Sequence, residues 1–210
     1  MRTRIKVCGI TTIEALNACV NAGVDAVGFV FAESPRRLGP GEADALIFKV
    51  PPFVSRVGVF KNPGAAEVSE VIAAVRLSLL QADVDDFPAF LTAGCRQPML
   101  PVYRFGTTAF DELMTKVPPG RSVLIEGAAS GSGQTLDWEK IAPLARLHRV
   151  VLAGGLTPAN VGEAIRIVRP FAVDVSSGVE SSRGVKDAGL IAAFASAVRA
   201  ADAAVEGVSA

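Results

Sequence analysis

Short apolar runs alternate along this chain with stretches whose apolar positions recur every three or four residues, and the alternation repeats eight times. The apolar runs predict strands at Ile5–Gly9, Ala26–Phe31, Val54–Phe60, Leu77–Gln81, Met99–Phe105, Ser122–Glu126, Val150–Ala153 and Phe171–Val175. Helical spacing falls between them. Thr11 followed by Glu14 reads as a capping box, opening a helix that buries Leu16, Cys19 and Val20 and stops at Gly23. Further helices are expected from Pro40 to near Lys49, over Pro63–Val75, near Asp86–Ala93, over Thr108–Lys116 and Trp138–Leu147, from a Thr157-Pro158 start, and over about Asp187–Ala203.

The strands lack an in–out alternation, as expected when both faces are covered. Strand–helix units in unbroken series imply parallel strands with helical crossovers, and eight of them favour a closed (β/α)8 TIM barrel, an α/β fold of one domain. The barrel is expected to span 1–203, with 204–210 as a frayed tail. A doubly wound sheet would carry a glycine-rich phosphate loop after its first strand. Here that strand is followed by Cys8-Gly9-Ile10-Thr11, and the glycine-rich loops come late.

Half of the 210 residues are apolar, enough for a large core, and 21 basic residues balance 21 acidic ones. That balance argues against a nucleic-acid partner. No apolar run reaches membrane-spanning length and no signal peptide is evident, so a cytoplasmic protein with no membrane contact is expected. Three cysteines and one histidine, in no zinc-like spacing, give no reason to expect a metal.

A barrel builds its active site at the C-terminal ends of its strands. Cys8 stands there after strand one, Arg36 and Arg37 after strand two, Glu126 after strand six with Gly131-Ser132-Gly133 beyond it, Gly154-Gly155 after strand seven, and Asp174 then Ser176-Ser177-Gly178 after strand eight. Barrels of this kind often bind phosphate with the last two loops, where glycines let backbone N–H groups approach an anion. Cys8 is either a buried structural thiol or a catalytic one. Glu126 is either a general acid with a burial-raised pKa or a salt-bridged rim residue. Arg36 could hold a carboxylate through its planar fork or be a solvated loop charge. Together they suggest acid–base isomerisation of a phosphorylated small molecule, with no cofactor.

These blocks resemble phosphoribosylanthranilate isomerases. Lys6-Val7-Cys8-Gly9-Ile10-Thr11, Asp25 to Phe31, Ser34-Pro35-Arg36 and Arg56 to Phe60 carry the resemblance in the first half. Gly131-Ser132-Gly133 leading to Asp137-Trp138, Ala153-Gly154-Gly155-Leu156 with Asn160-Val161, Asp174 to Glu180 and Gly184-Val185-Lys186-Asp187 carry it in the second. The resemblance implies an Amadori rearrangement of N-(5-phosphoribosyl)anthranilate to 1-(2-carboxyphenylamino)-1-deoxyribulose 5-phosphate in tryptophan biosynthesis, by a monomer or homodimer. It implies Cys8 as base, Arg36 on the anthranilate carboxylate, Asp174 lining the site, and Gly154, Gly155, Ser176, Ser177 and Gly178 on the phosphate. Two positions depart from the commoner pattern. Glu126 stands where the family usually has an Asp acid, with Asp137 as a competing candidate that reads better as a helix N-cap. Asp83 stands where many relatives have His, and is expected to hydrogen-bond sugar hydroxyls. A related synthase barrel should carry catalytic lysines at strand ends; Lys6 precedes Cys8 on its strand and Lys61 closes strand three. A non-catalytic barrel that keeps the phosphate loops is the remaining alternative.

Overall fold

A computed structural model describes residues 2–127 and 136–207. Eight parallel strands, β1 Arg4–Cys8, β2 Ala26–Val30, β3 Ser55–Val59, β4 Leu79–Asp83, β5 Met99–Arg104, β6 Ser122–Glu126, β7 Arg149–Leu152 and β8 Ala172–Val175, pair in sequence order, and β8 returns to β1 to close the barrel. The helices α1 Ile13–Asn21, α2 Pro40–Ile47, α3 Ala65–Ala74, α4 Phe87–Thr92, α5 Thr108–Lys116, α6 Trp138–Leu147, α7 Val161–Val168 and α8 Ala188–Gly207 follow the strands in turn. The fold is the (β/α)8 barrel that the sequence predicts.

Strand side chains alternate between two cores. Leu100, Val102, Leu124, Val151, Ala153 and Ala172 pack together inside the barrel. Their chain neighbours Tyr103, Ile125, Leu152 and Val173 face outward and meet helix residues such as Leu16, Ile47, Ile141 and Phe194. This period of two, with apolar residues on both faces, explains the unbroken apolar runs. Above the inner apolar layer the inward positions turn polar, with Lys6, Gln81 and Asp174 each less than a tenth exposed.

Several local expectations shift. The α1 cap is Thr12, not Thr11: the helix begins one residue later, and the Thr12 hydroxyl accepts from the Ala15 N–H at 3.2 Å. Thr157-Pro158 opens a turn rather than a helix. The Thr157 N–H donates to Asn160 Oδ1 at 2.8 Å, the Asn160 amide donates to the Gly155 carbonyl at 2.9 Å, and α7 starts at Val161. Strand β4 reaches Asp83, which puts that carboxylate on the strand itself. A two-stranded hairpin that the sequence pattern does not announce, β9 Glu180–Ser182 and β10 Val185–Lys186, follows β8.

Helix α8 extends past the expected Ala203 to Gly207. It is also long and apolar enough to cross a membrane by length and composition, contrary to the reading that no segment reaches that limit. Alanine supplies much of that hydropathy, and Ile191, Phe194, Ala195 and Val198 are buried in the outer core. Helix α8 packs against α1, α7 and β1 as the last helix of the outer ring.

Candidate active site

The C-terminal ends of the strands enclose a cavity of about 300 Å³. Cys8, Arg36, Asp83, Glu126, Gly154, Gly155, Asp174, Ser176 and Ser177 all line it. Gly178 does not: a β-carbon there would lie 1.9 Å from the Leu156 carbonyl oxygen, so this glycine lets the loop after β8 pack tightly behind the cavity. Gly131, Ser132 and Gly133 lie outside the described residues. Asp137 is an N-cap, as read from the sequence. It accepts from the Lys140 N–H at 3.4 Å, its side chain pairs with the Lys140 ammonium, and it does not line the cavity.

Cys8 ends β1 with its thiol directed into the barrel mouth. Burial pushes the thiol pKa up and Asp174 adds to this, while Lys6 and Lys186 oppose it. Lys6, two residues earlier on the same face, lies beside Asp174 across the β1–β8 ladder and donates to its Oδ2 at 2.8 Å. Both side chains are almost fully buried. Burial pulls the Lys6 ammonium down, yet the adjacent Asp174 and Cys8 outweigh it and leave the pKa raised. Burial raises Asp174, against the pull of Lys6. Asp174 Oδ1 and Gln81 Oε1 are buried with no hydrogen-bond partner among the described residues. Two such acceptors beside a cavity are costly unless a ligand or water satisfies them.

Glu126 ends β6 and meets Arg104 from the end of β5, whose Nη1 donates to its Oε2 at 2.8 Å. The other side of the same guanidinium grips Asp83 on β4, with Nε to Oδ1 at 2.9 Å and Nη2 to Oδ2 at 3.2 Å. Burial raises the Glu126 pKa and Asp174 and Asp83 reinforce it, while Arg104 and Lys6 restrain it. Glu126 is thus salt-bridged, and burial still shifts its carboxyl toward the protonated form. Both Asp83 oxygens are engaged by Arg104, so its immediate contact is a guanidinium.

Arg36 crosses above Gly9, where a β-carbon would come within 2.4 Å of the Arg36 Cδ. Its Nε and Nη2 each donate at 2.7 Å to Glu180 of the β9–β10 hairpin. Nη1 has no partner among the described residues, which leaves one end of the fork to a ligand.

Gly154 and Gly155 both have left-handed backbone, φ 89° and 65°, a conformation that favours glycine. Their N–H groups have no acceptor among the described residues. The Ser176 hydroxyl is already committed, donating to the Cys8 carbonyl at 3.0 Å and accepting from Lys186 at 3.2 Å. Among the described residues the Ser177 hydroxyl has no such commitment. No group of three or more His, Cys, Asp or Glu among them is arranged to hold a metal ion.

Sequence reasoning gave no place in the site to Lys61, Gln81, Arg104 and Arg183, which line the cavity, or to Lys6, Glu180 and Lys186, which hold residues that line it. Lys6 and Arg104 had a usable signal: each is a charged residue within an apolar run, on the same strand face as, or at the same strand end as, a residue already singled out.

A parallel eight-stranded barrel with its ionisable side chains gathered at the C-terminal mouth has the layout of a (β/α)8-barrel enzyme. Residues 5–197 match the family model described as N-(5'phosphoribosyl)anthranilate (PRA) isomerase. A curated relative from Herminiimonas arsenicoxydans, named N-(5'-phosphoribosyl)anthranilate isomerase, is 43% identical, with 98% of this chain and 96% of the relative covered. The crystal structure of phosphoribosyl anthranilate isomerase from Thermotoga maritima superposes with a TM-score of 0.83 at 36% identity, covering 94% of this chain and 99% of that one. Another phosphoribosyl anthranilate isomerase, solved with reduced 1-(o-carboxyphenylamino)-1-deoxyribulose 5-phosphate, gives 0.80 at 34% identity with the same coverage. The chain belongs to the N-(5'-phosphoribosyl)anthranilate isomerase family, and it is an isomerase.

Proposed function

We propose that this isomerase of tryptophan biosynthesis carries out its Amadori rearrangement with Glu126 as general acid and Cys8 as general base. The observation that carries the assignment is that both groups open into one cavity, between the free end of Arg36 and the unspent N–H groups of Gly154 and Gly155. A substrate anionic at both ends places its carboxylate on Arg36 and its phosphate on the two glycine amides and the Ser177 hydroxyl. Ser176 holds the loop through the Cys8 carbonyl. Gly178 lets that loop pack against Leu156. Asp174 Oδ1 and Gln81 Oε1 accept from sugar hydroxyls. Asp83 acts on the site through Arg104.

Glu126 protonates the furanose ring oxygen, and the C1–oxygen bond breaks to give an open-chain iminium. The Cys8 thiolate removes the C2 proton, leaving an enolamine. Cys8 returns a proton to C1, and the C2 hydroxyl gives its proton back to Glu126 as the ketone forms. Two protons leave C2 and its oxygen, two arrive at C1 and the ring oxygen, and both side chains regain their starting states. A phosphorylated substrate is retained inside a cell, which supports a cytoplasmic location, and the relative from Thermotoga maritima described as dimeric supports a monomer or homodimer.

The test is turnover of freshly prepared N-(5'-phosphoribosyl)anthranilate, followed by loss of anthranilate fluorescence, beside Cys8→Ser and Glu126→Ala. Activity that falls at least a hundredfold in both variants supports the assignment. Activity that survives Glu126→Ala removes the acid role from that residue. Folded wild-type protein that binds the reduced product without turnover would support a non-catalytic barrel.

A further inference from the structure

The guanidinium of Arg36 is not held by the loop that carries it. Its partner, Glu180, belongs to the β9–β10 hairpin and is 3% exposed. Glu180 Oε2 also accepts from the Gly184 N–H at 3.0 Å, and Oε1 accepts from the Lys186 ammonium at 2.6 Å. The Lys186 side chain is fully buried. Its other contacts are the Ser176 carbonyl at 3.0 Å and the Ser176 hydroxyl at 3.2 Å, and that hydroxyl donates onward to the Cys8 carbonyl. An ammonium has three protons, and here three acceptors meet it. One continuous chain of charge-assisted bonds therefore runs from Arg36 through Glu180 and Lys186 to Ser176, at the end of the strand beside Cys8.

A buried lysine is retained only where partners compensate its lost hydration. Here those partners are Glu180 and the Ser176 loop after β8, and Glu180 in turn holds Arg36 above β2. The hairpin itself has little apolar content, with Glu-Ser-Ser paired to Val-Lys. Its two inward charges are spent on Arg36 and Ser176.

We propose that Lys186 is a positioning residue which, acting through Glu180 and anchored on Ser176, aims the Arg36 guanidinium at the carboxylate end of the ligand. This rests on the reading of Arg36 as the carboxylate-holding group. An arginine on a mobile loop loses side-chain freedom when it binds; one already clamped along its Nε–Nη2 edge presents its remaining end at lower entropic cost. The Lys186–Glu180 pair thus selects ligands that carry a second anion at the correct distance from the phosphate.

The test pairs two ligands with two variants by titration calorimetry. One ligand is the reduced product, which has both phosphate and ring carboxylate; the other is its anilino counterpart, which has the phosphate but no carboxylate. Lys186→Met is expected to weaken the carboxylate-bearing ligand by about tenfold and to leave the anilino ligand within about twofold. In turnover KM should rise, and kcat should fall as well, because Lys186 is also one of the cations that oppose the rise of the Cys8 thiol. In an Arg36→Met background, Lys186→Met should cost little more, because both act through one contact. Equal weakening of both ligands, no weakening of either, or additive losses in the double variant would overturn the proposal. Should Lys186→Met fail to fold, Glu180→Gln is read by the same criteria. The binding arms need no turnover, so failed catalysis with a selective loss of carboxylate affinity would count against the isomerase mechanism and for the clamp.

Discussion

Gly28 on β2 faces Cys8 on β1 so closely that a β-carbon at Gly28 would lie 2.9 Å from the Cys8 sulfur and 3.1 Å from its Cα. The missing side chain is the space in which the thiol sits. Gly28→Ala cannot be absorbed by rotating the thiol alone, because the Cys8 backbone is also in the way. The variant is expected to lose about 1–3 kcal/mol of stability to overpacking. Displacement of the base by a fraction of an ångström should lower kcat at least tenfold. Urea unfolding and steady-state kinetics on the folded variant check the two parts separately; unchanged kcat would show that the thiol has room to spare.

Glu180 gives a pH-dependent contribution to stability. Burial pushes its carboxyl up, but hydrogen bonds from Arg36, Lys186 and the Gly184 N–H outweigh this and hold it down to about 2. A folded-state value below the unfolded one means the charged form is favoured by folding. The stabilisation is therefore complete above the unfolded value, roughly 4.3, and is lost as pH falls toward about 2. A depression of about two units corresponds to at most about 3 kcal/mol. Denaturant unfolding of wild type and Glu180→Gln between pH 3 and 7 should show a difference that is constant near neutrality and shrinks on acidification. A difference independent of pH would place the effect elsewhere than in the carboxylate.

The strand-end rule explains how much of this was legible in the sequence. It placed Cys8, Glu126, Asp174 and Gly154-Gly155 at the mouth because each follows directly on an apolar run. It did not reveal what these groups touch. The Lys6–Asp174 and Arg104–Glu126 pairs depend on which residues lie side by side across strands, and that register is fixed by barrel closure rather than by any local signal. Asp83 is assigned to sugar hydroxyls only through the resemblance, where it stands in place of a His; the strand end expected at Gln81 gives no sign that β4 runs on to Asp83 and brings its carboxylate to Arg104. Glu180 and Lys186 enter the sequence reading only inside blocks that carry the family resemblance, since a hairpin of Glu, Ser, Val and Lys has no hydrophobic pattern to announce it.

Asp137 and Glu126 compete for the acid role on sequence, and their surroundings separate them. Asp137 caps α6 and pairs with Lys140 at the surface. Its pKa is lowered by the hydrogen bond with Lys140, which disfavours the protonated form a general acid needs. Asp137→Ala is expected to lower the melting temperature modestly through the lost cap and to leave kcat within about twofold. A collapse of kcat in a folded Asp137→Ala protein would transfer the acid role to it.

Cys8 and Glu126 together predict the shape of the pH–rate profile. Burial raises both, the thiol against Lys6 and Lys186, the carboxyl against Arg104. The productive pair is thiolate with carboxylic acid, although the thiol is much the weaker acid, so the active enzyme is a minority protonation state. Below the Glu126 value that state grows tenfold per pH unit, because the thiolate fraction grows while the acid stays intact. Between the two values the gain in thiolate cancels the loss of acid and the rate is flat. Above the Cys8 value it falls as the last acid is lost. In kcat/KM the ascending limb should therefore belong to Glu126, above the ordinary carboxylate range, and the descending limb to Cys8, above the ordinary thiol range. Arg104→Met removes the cation that restrains Glu126. It should move the ascending limb to higher pH, raise the plateau by enlarging the acid fraction, and leave the descending limb in place. An ascending limb that stays fixed in Arg104→Met would assign it to a group other than Glu126.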